Sequence, residues 1–276
     1  MRITLLASND LPSNYALNLL VKDLSVHDLT LFLSDRVGKP TSHPQALKDL
    51  ERFEQTLTAS HAFEPRRSCE GRHRQTNNAL ISFDELALNT GGIIRTLNSI
   101  NAPDELDVFR RSQPDLVISV RYGVILKDEV ISVPPFGVLN LHSGLLPDYK
   151  GVMATFRAML NGEEVIGTTL HYIRDSSIDT GPVIGTTRLP VDRRRSYLWH
   201  VLNLYTDGCK LVVDTVNLIS TGLSVDTTDQ SRAGKYYSFP TGEDLEVFRK
   251  TGLKLFDGEE INEFAELFII PVEENS

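Results

Sequence analysis

The chain of 276 residues is longer than one average domain, and a single α/β domain with an appendage accounts for it as well as two domains do. A hydrophobic content of 41% and a charged content of 24% are those of an ordinary globular protein, while a formal charge of −9 gives a field that repels phosphate backbones and disfavours a large nucleic-acid partner. No stretch reaches the ~18–20 continuous apolar residues of a membrane span, and Cys69 and Cys209 lack metal-ligand spacing and read as reduced thiols of a cytoplasmic protein.

The apolar run 3–7 turns polar at Ser8-Asn9-Asp10, too soon for a signal sequence, and reads as a first strand. Tyr15, Leu19 and Leu20 then recur at helical spacing, and LTLFL (29–33) predicts a second buried strand. ALKDLERFEQTL (46–57) predicts a helix, as does SFDELALNTGGIIRTLNSINA (82–102). Between them HAFEPRRSCEGRHRQT (61–76) carries four arginines and two histidines without apolar periodicity, either a solvated loop or a basic lip for an anionic substrate group. LVISV (116–120) predicts a third strand and GVLNLH (137–142) a fourth. Short apolar strands separated by helical patterns indicate a mostly parallel sheet with helices on both faces, a Rossmann-like α/β fold.

Farther along, 151–162 and 196–220 read as helices, and TTLHYI (168–173) and PVIGTTRLPV (182–191) as strands of a partly antiparallel extension. Near the end, Thr241 can cap a helix with Asp244 at its third position, Leu245 and Phe248 on its apolar face, and Gly252 as its stop. The division drawn from this pattern is a main domain over 1–222 and a carboxy-terminal appendage over 223–276.

The chemistry concentrates in GVLNLHSGLLPDYKG (137–151). Asn140 and His142 are two apart on a strand and so point to one face, at the carboxyl end where open α/β sheets place ligands. RDSSIDTGPVI (174–184) adds two loop carboxylates, Asp175 and Asp179. An amide donor for a developing oxyanion, an imidazole active near neutral pH and a carboxylate to hold it are what acyl transfer to nitrogen needs. Chemistry alone does not choose between the two carboxylates.

The order Asn140-Leu141-His142, then Leu145-Leu146-Pro147-Asp148-Tyr149-Lys150-Gly151, then Ile178-Asp179-Thr180-Gly181 resembles the folate-dependent formyltransferases. Those include methionyl-tRNA formyltransferase, glycinamide ribonucleotide formyltransferase and the amino-sugar N-formyltransferases. The resemblance covers about 114–192 and extends to Gly162, Gly167, Thr168 and His171. It implies a formyltransferase catalytic domain over 1–222, with Asn140, His142 and Asp179 as the catalytic set and 10-formyltetrahydrofolate as co-substrate, without a metal. It further implies a pterin site on the loop RYGVIL (121–126), through Tyr122, Val124, Ile125 and Leu126, largely by backbone groups. The loop with Asp175, Ile178 and Gly181 would close the other side of the pterin. Val124, Ile125 and Leu126 read equally as core residues, and His171, on a strand pattern, reads as structural.

The sequence departs from the family where a common serine before Leu-Leu-Pro is Gly144, which removes a hydroxyl and loosens the loop, and where Ser143 follows the histidine. ASNDLPSNY (7–15) also lacks the Gly-rich phosphate loop of the ribonucleotide enzyme. About fifty residues follow Val225, against a full carboxy-terminal barrel in the tRNA branch, and the chain is acidic. The expected acceptor is therefore a small-molecule primary amine on a nucleotide-linked sugar, with no nucleic acid and no membrane as partner. Arg232, Lys235, Tyr236 and Tyr237 could stack on its base or serve as a clamp over the domain's edge, and the Tyr-rich segment is the pointer to a homodimer. The alternatives are an amino-acid-type amine such as an ornithine side chain, and a hydrolase releasing formate. A silent binding module and a nicotinamide oxidoreductase are disfavoured, the first by the intact triad and the second by the missing G-x-G-x-x-G.

Overall fold

A computed structural model of the chain describes residues 1–35, 43–59, 80–90, 94–230 and 233–260. Its first half runs β1 (Arg2–Ser8), α1 (Leu11–Asp23), β2 (Asp28–Ser34), α2 (Gln45–Ala59), α3 (Phe83–Asn89), β3 (Arg95–Thr96), α4 (Pro103–Arg111), β4 (Leu116–Val120) and α5 (Asp128–Ile131). The second half runs β5 (Val138–His142), β6 (Lys150–Gly151), α6 (Ala154–Leu160), β7 (Val165–Ile173), β8 (Val183–Pro190), α7 (Tyr197–Ser220), β9 (Tyr236–Tyr237) and α8 (Gly242–Lys250).

Among the described residues the main sheet has seven strands in the order β3-β2-β1-β4-β5-β7-β8. The pairs from β3 through β5 are parallel, and β5–β7 and β7–β8 are antiparallel. The alternation of strand side chains divides the core. Leu5, Leu31, Ile118 and Leu139 enter the larger cluster with α1 and α7, whereas Leu6, Phe32, Val117 and Val138 pack beneath Phe109 and Val130 on the other face. This is why the strands read as unbroken apolar runs, since both faces are covered. Each fully buried leucine contributes on the order of 2 kcal/mol of burial free energy, so this sheet is a rigid floor for what hangs from its edge.

Local signals account for the helix starts. Asp10 caps α1 by accepting from the Ser13 amide, and Ser196 caps α7 through the Trp199 amide. The reciprocal capping box of Thr241 and Asp244 opens α8, and Gly252 follows it at φ +85°. Phe248 of α8 lies 4.6 Å ring to ring from Phe156 of α6, which fastens the segment after α7 to the main core.

Two expectations need correction. The stretch 82–102 is not one helix: α3 stops at Asn89, and Arg95 and Thr96 instead pair with Phe32 and Leu33 as an edge strand. The sequence Thr90-Gly91-Gly92 favours such a break, and the open edge of β2 supplies backbone partners, including the Leu33 carbonyl that accepts from the Leu97 amide. The helix read over 151–162 begins only at Ala154, after Met153 in the left-handed region, because Lys150 and Gly151 pair with Tyr236 and Tyr237 in a separate two-stranded sheet. The basic stretch 61–76, with Cys69, and Arg232 lie outside the described residues.

Candidate active site

Asn140 and His142 project from the end of β5, and the antiparallel register places His171 of β7 directly opposite Asn140 and Thr169 opposite His142. Asn140 Nδ2 stands 3.1 Å from His171 Nε2 and 3.5 Å from Asp179 Oδ1. His171 Nδ1 faces the Tyr172 carbonyl at 2.9 Å, so in the neutral ring the proton sits there and Nε2 accepts from Asn140. That accounts for the orientation of the Asn140 amide, and it leaves the second Nδ2 hydrogen for another acceptor.

Asp179 is the hub. Its Oδ2 accepts from the Gly151 amide at 2.7 Å and lies 3.6 Å from His142 Nδ1, while Oδ1 lies 3.4 Å from His171 Nε2. Burial pushes this carboxyl up, but the charge interaction with His142, the contact with His171 and the Gly151 amide together outweigh it and hold the group down at about 2. It is therefore an anion at neutral pH, buried and held by donors. Its backbone sits at φ +54°, a left-handed conformation that costs a non-glycine residue on the order of 1 kcal/mol and persists only where surroundings enforce it.

His142 Nε2 donates to the Tyr149 carbonyl at 2.6 Å, which turns Nδ1 toward Asp179. At 3.6 Å the Nδ1–Oδ2 gap is longer than a hydrogen bond, so Asp179 faces His142 Nδ1 as a nearby negative charge. The loop that folds back to bring Tyr149 over the histidine carries a cis Leu146–Pro147 bond and is tied to β7, where Thr169 accepts from the Leu146 amide at 3.1 Å and donates to the Gly144 carbonyl at 2.7 Å. Gly144 is not loose. A Cβ there would come within 2.8 Å of His142 Nε2 and the Tyr149 carbonyl and 2.6 Å of the Ala154 Cβ.

The arrangement joins an N–H donor, an imidazole and an ionised carboxylate at the carboxyl end of β5. A formyl transferase model matches residues 41–198, more than half of the chain. The chain belongs to the formyl transferase family. It is similar to methionyl-tRNA formyltransferase of Kosmotoga olearia, with 32% identity over 136 residues, 49% of this chain and 43% of that one. It is also similar to the Xylella fastidiosa enzyme of the same name, with 28% identity over 172 residues, 62% of this chain and 55% of that one. The chain thus spans about half the length of the curated relatives it matches. In fold it is similar to a sugar N-formyltransferase from Shewanella sp. at TM-score 0.54 and 14% identity, covering 90% of this chain and 87% of that one. It is likewise similar to glycinamide ribonucleotide transformylase 1 from Symbiobacterium toebii, at TM-score 0.55 and 16% identity, covering 83% and 93%.

Within this formyl transferase the two loop carboxylates differ sharply. Asp179 reaches both histidines, whereas Asp175 is exposed and its carboxylate accepts from the Ser177 amide at 2.7 Å. Ile178 is half-buried beside Asp179, and Gly181 is pressed against the Tyr172 carbonyl, where a side chain would not fit. After the neighbouring parallel strand β4, the loop has Arg121 at φ +57°, paired with Asp10 at 2.9 Å. This ion pair ties the loop to the cap of α1. Beyond it, the Tyr122 hydroxyl donates to the Leu97 carbonyl at 2.6 Å, Val124 packs against the smaller core cluster, and Leu126 is buried within it. Ile125, 54% exposed, is the side chain of that set turned outward.

Three residues at the site were not assigned to it from sequence. His171 read as structural, yet it touches Asn140 and Asp179; pairing the predicted strands antiparallel would have brought it opposite Asn140. Gly151 stood in the sequence only as the last residue of the Leu-Leu-Pro motif, but its amide is a ligand of the carboxylate. Gln230 donates from Nε2 to the carbonyls of Asp179 at 2.9 Å and Gly181 at 2.8 Å, and no motif marks it.

Proposed function

We propose that this protein transfers the formyl group of 10-formyltetrahydrofolate to a primary amine, and that the amine is carried by a nucleotide-linked sugar. The observation that carries the first part is the convergence of Asn140 Nδ2, at 3.5 Å, and His142 Nδ1, at 3.6 Å, on the two oxygens of the buried Asp179 carboxylate. The donor set fits an acyl donor. The Asn140 N–H that is held only loosely, 3.5 Å from Asp179 Oδ1, can turn to the formyl oxygen as charge develops on it, and one such donor contributes about 10²–10³ in turnover. His142 Nδ1 can take the proton that the attacking amine must lose, with Asp179 stabilising the imidazolium that results. The folate supplies the activated carbonyl carbon; as the amine nitrogen bonds to it, the bond from that carbon to the folate nitrogen breaks, and the proton taken up by His142 passes to the departing folate nitrogen. In this reading Tyr122, Val124, Ile125 and Leu126 hold the pterin mainly by backbone groups, since Leu126 is 3% exposed and the Tyr122 hydroxyl is engaged. Asp175, Ile178 and Gly181 would line its other side.

A sugar acceptor is supported by the ring of Tyr236, 54% exposed and close over Gly151, beside the carboxylate. One fold neighbour, an N-formyltransferase from Helicobacter canadensis, is described in complex with folinic acid and dTDP-3-aminofucose. A second reading, formylation of methionyl-tRNA, is favoured by the sequence likeness to enzymes of that name. A panel of amines offered with 10-formyltetrahydrofolate separates the readings. Nucleotide-linked amino sugars, ornithine-like amino acids and methionyl-tRNA would each be followed for a mass gain of one CO. Formylation of the sugar amine is the expected result. Formylation of methionyl-tRNA or an amino acid alone would overturn the sugar assignment, and release of formate alone would make the protein a hydrolase.

A further inference from the structure

We infer that Gln230 is a positioning residue for Asp179, and that residues 228–230 and 233–239 hold the two loops between which the carboxylate lies; the inference rests on Asp179 acting in the transfer proposed above. The two N–H bonds of the Gln230 amide meet two carbonyls, of Asp179 and Gly181, that lie two residues apart on the loop. Thr228, two residues earlier, exchanges backbone hydrogen bonds of 2.8 Å in both directions with Val183. The loop from 179 to 183 is therefore pinned at four backbone groups, three carbonyls and one amide, by one short stretch of chain. This is the support that the left-handed backbone of Asp179, at φ +54°, needs.

Residues 233–237 meet the other loop. The Lys150 amide donates to the Lys235 carbonyl at 3.0 Å, and the Val152 amide donates to the Tyr237 carbonyl at 2.9 Å. Lys150 Nζ donates to the Ala233 carbonyl at 2.7 Å, and the Lys235 amide donates to the Pro147 carbonyl at 3.3 Å. Between these bonds stands Gly151, whose amide is the shortest contact of the Asp179 carboxylate at 2.7 Å. So residues 228–230 hold Asp179 through its main chain on one side, and residues 233–237 hold the Gly151 loop that carries its Oδ2 ligand on the other. Tyr237 is occupied in this frame, its ring 5.8 Å from Tyr149 and beneath Lys235 Nζ at 4.7 Å. Gln230 Oε1 is buried without a partner among the described residues.

The test is a double-mutant cycle on the full chain. Gln230→Met keeps the length of the side chain and removes both N–H donors, while Gln230→Asn keeps the amide on a shorter stem. With folding checked by circular dichroism, Gln230→Met is expected to lower kcat at least tenfold with KM for donor and amine within twofold, Gln230→Asn to recover part of that loss, and the acid limb of the pH–kcat profile to move. In an Asp179→Asn background, Gln230→Met should then have no further effect on kcat. If Gln230→Met does not fold, Gly234→Ala takes its place, because a Cβ at Gly234 would strike the Pro147 carbonyl and lift the segment without touching Gln230. Unchanged kcat and pH profile in a folded Gln230→Met or Gly234→Ala protein, or losses that add fully to that of Asp179→Asn, would overturn the inference. Full activity in Asp179→Asn itself would instead overturn the catalytic reading on which it rests.

Discussion

His142 Nε2 stands 2.6 Å from the Tyr149 carbonyl because residue 144 between them has no side chain. A Cβ there would meet both atoms at 2.8 Å and Ala154 at 2.6 Å, and the first two define the tilt of the imidazole. Overpacking of this kind costs about 1–3 kcal/mol, and here the strain falls on the histidine. Gly144→Ala and Gly144→Ser should both fold and should lower kcat at least tenfold. Steady-state kinetics beside a thermal melt checks this, and wild-type kcat in either variant would show that the tilt of His142 does not matter.

A buried carboxyl lies under the ion pair that ties the loop after β1 to the loop after β4. Burial pushes Glu54 up to about 8, Asp10 and Glu51 push the same way, and Arg121 opposes them. In the unfolded chain the same group gives up its proton near pH ~4.3. The stability linked to Glu54 is thus full below about pH 4 and is lost as pH rises toward 8. Glu54→Gln should flatten the fall in melting temperature between pH 5 and pH 8, whereas parallel profiles for the two proteins would contradict the burial argument.

Tyr236 tests the acceptor. Stacking of a base on an aromatic ring contributes about 1–3 kcal/mol, so Tyr236→Ala should raise KM for a nucleotide-linked amine about tenfold or more. Its kcat should stay near wild type, and Tyr236→Phe should behave as wild type. A KM indifferent to Tyr236→Ala would remove the ring from acceptor binding.

The parallel strands were legible because both faces of the sheet are covered, so Leu5 and Leu6, or Val117 and Ile118, are apolar whichever cluster they enter. The antiparallel strands β7 and β8 showed in the polar alternation after Gly167. What failed was local. The residues 82–102 have helical periodicity at each end, but β2 offers an open edge that propensity cannot see, and Arg95 and Thr96 take it. At the site, Asn140 and His142 were legible from strand period. Asp179 was chosen over Asp175 by family resemblance, and the physical reason lies in the fold: only Asp179 meets the Gly151 amide and the two histidines. Gln230 was hidden because its role consists of bonds to carbonyls 49 and 51 residues away, which carry no side-chain signature.

The most direct test of the account is single-turnover transfer from 10-formyltetrahydrofolate labelled in its formyl carbon, with the amine found in the panel as acceptor. Wild-type protein, Asn140→Ala, His142→Ala and Asp179→Asn would be compared, each verified as folded. The account predicts label in the amide product, a loss of about 10²–10³ in rate for Asn140→Ala as for one oxyanion donor, and losses at least as large for the other two. Label retained on the folate with every amine, or a folded Asp179→Asn protein working at the wild-type rate, would contradict it.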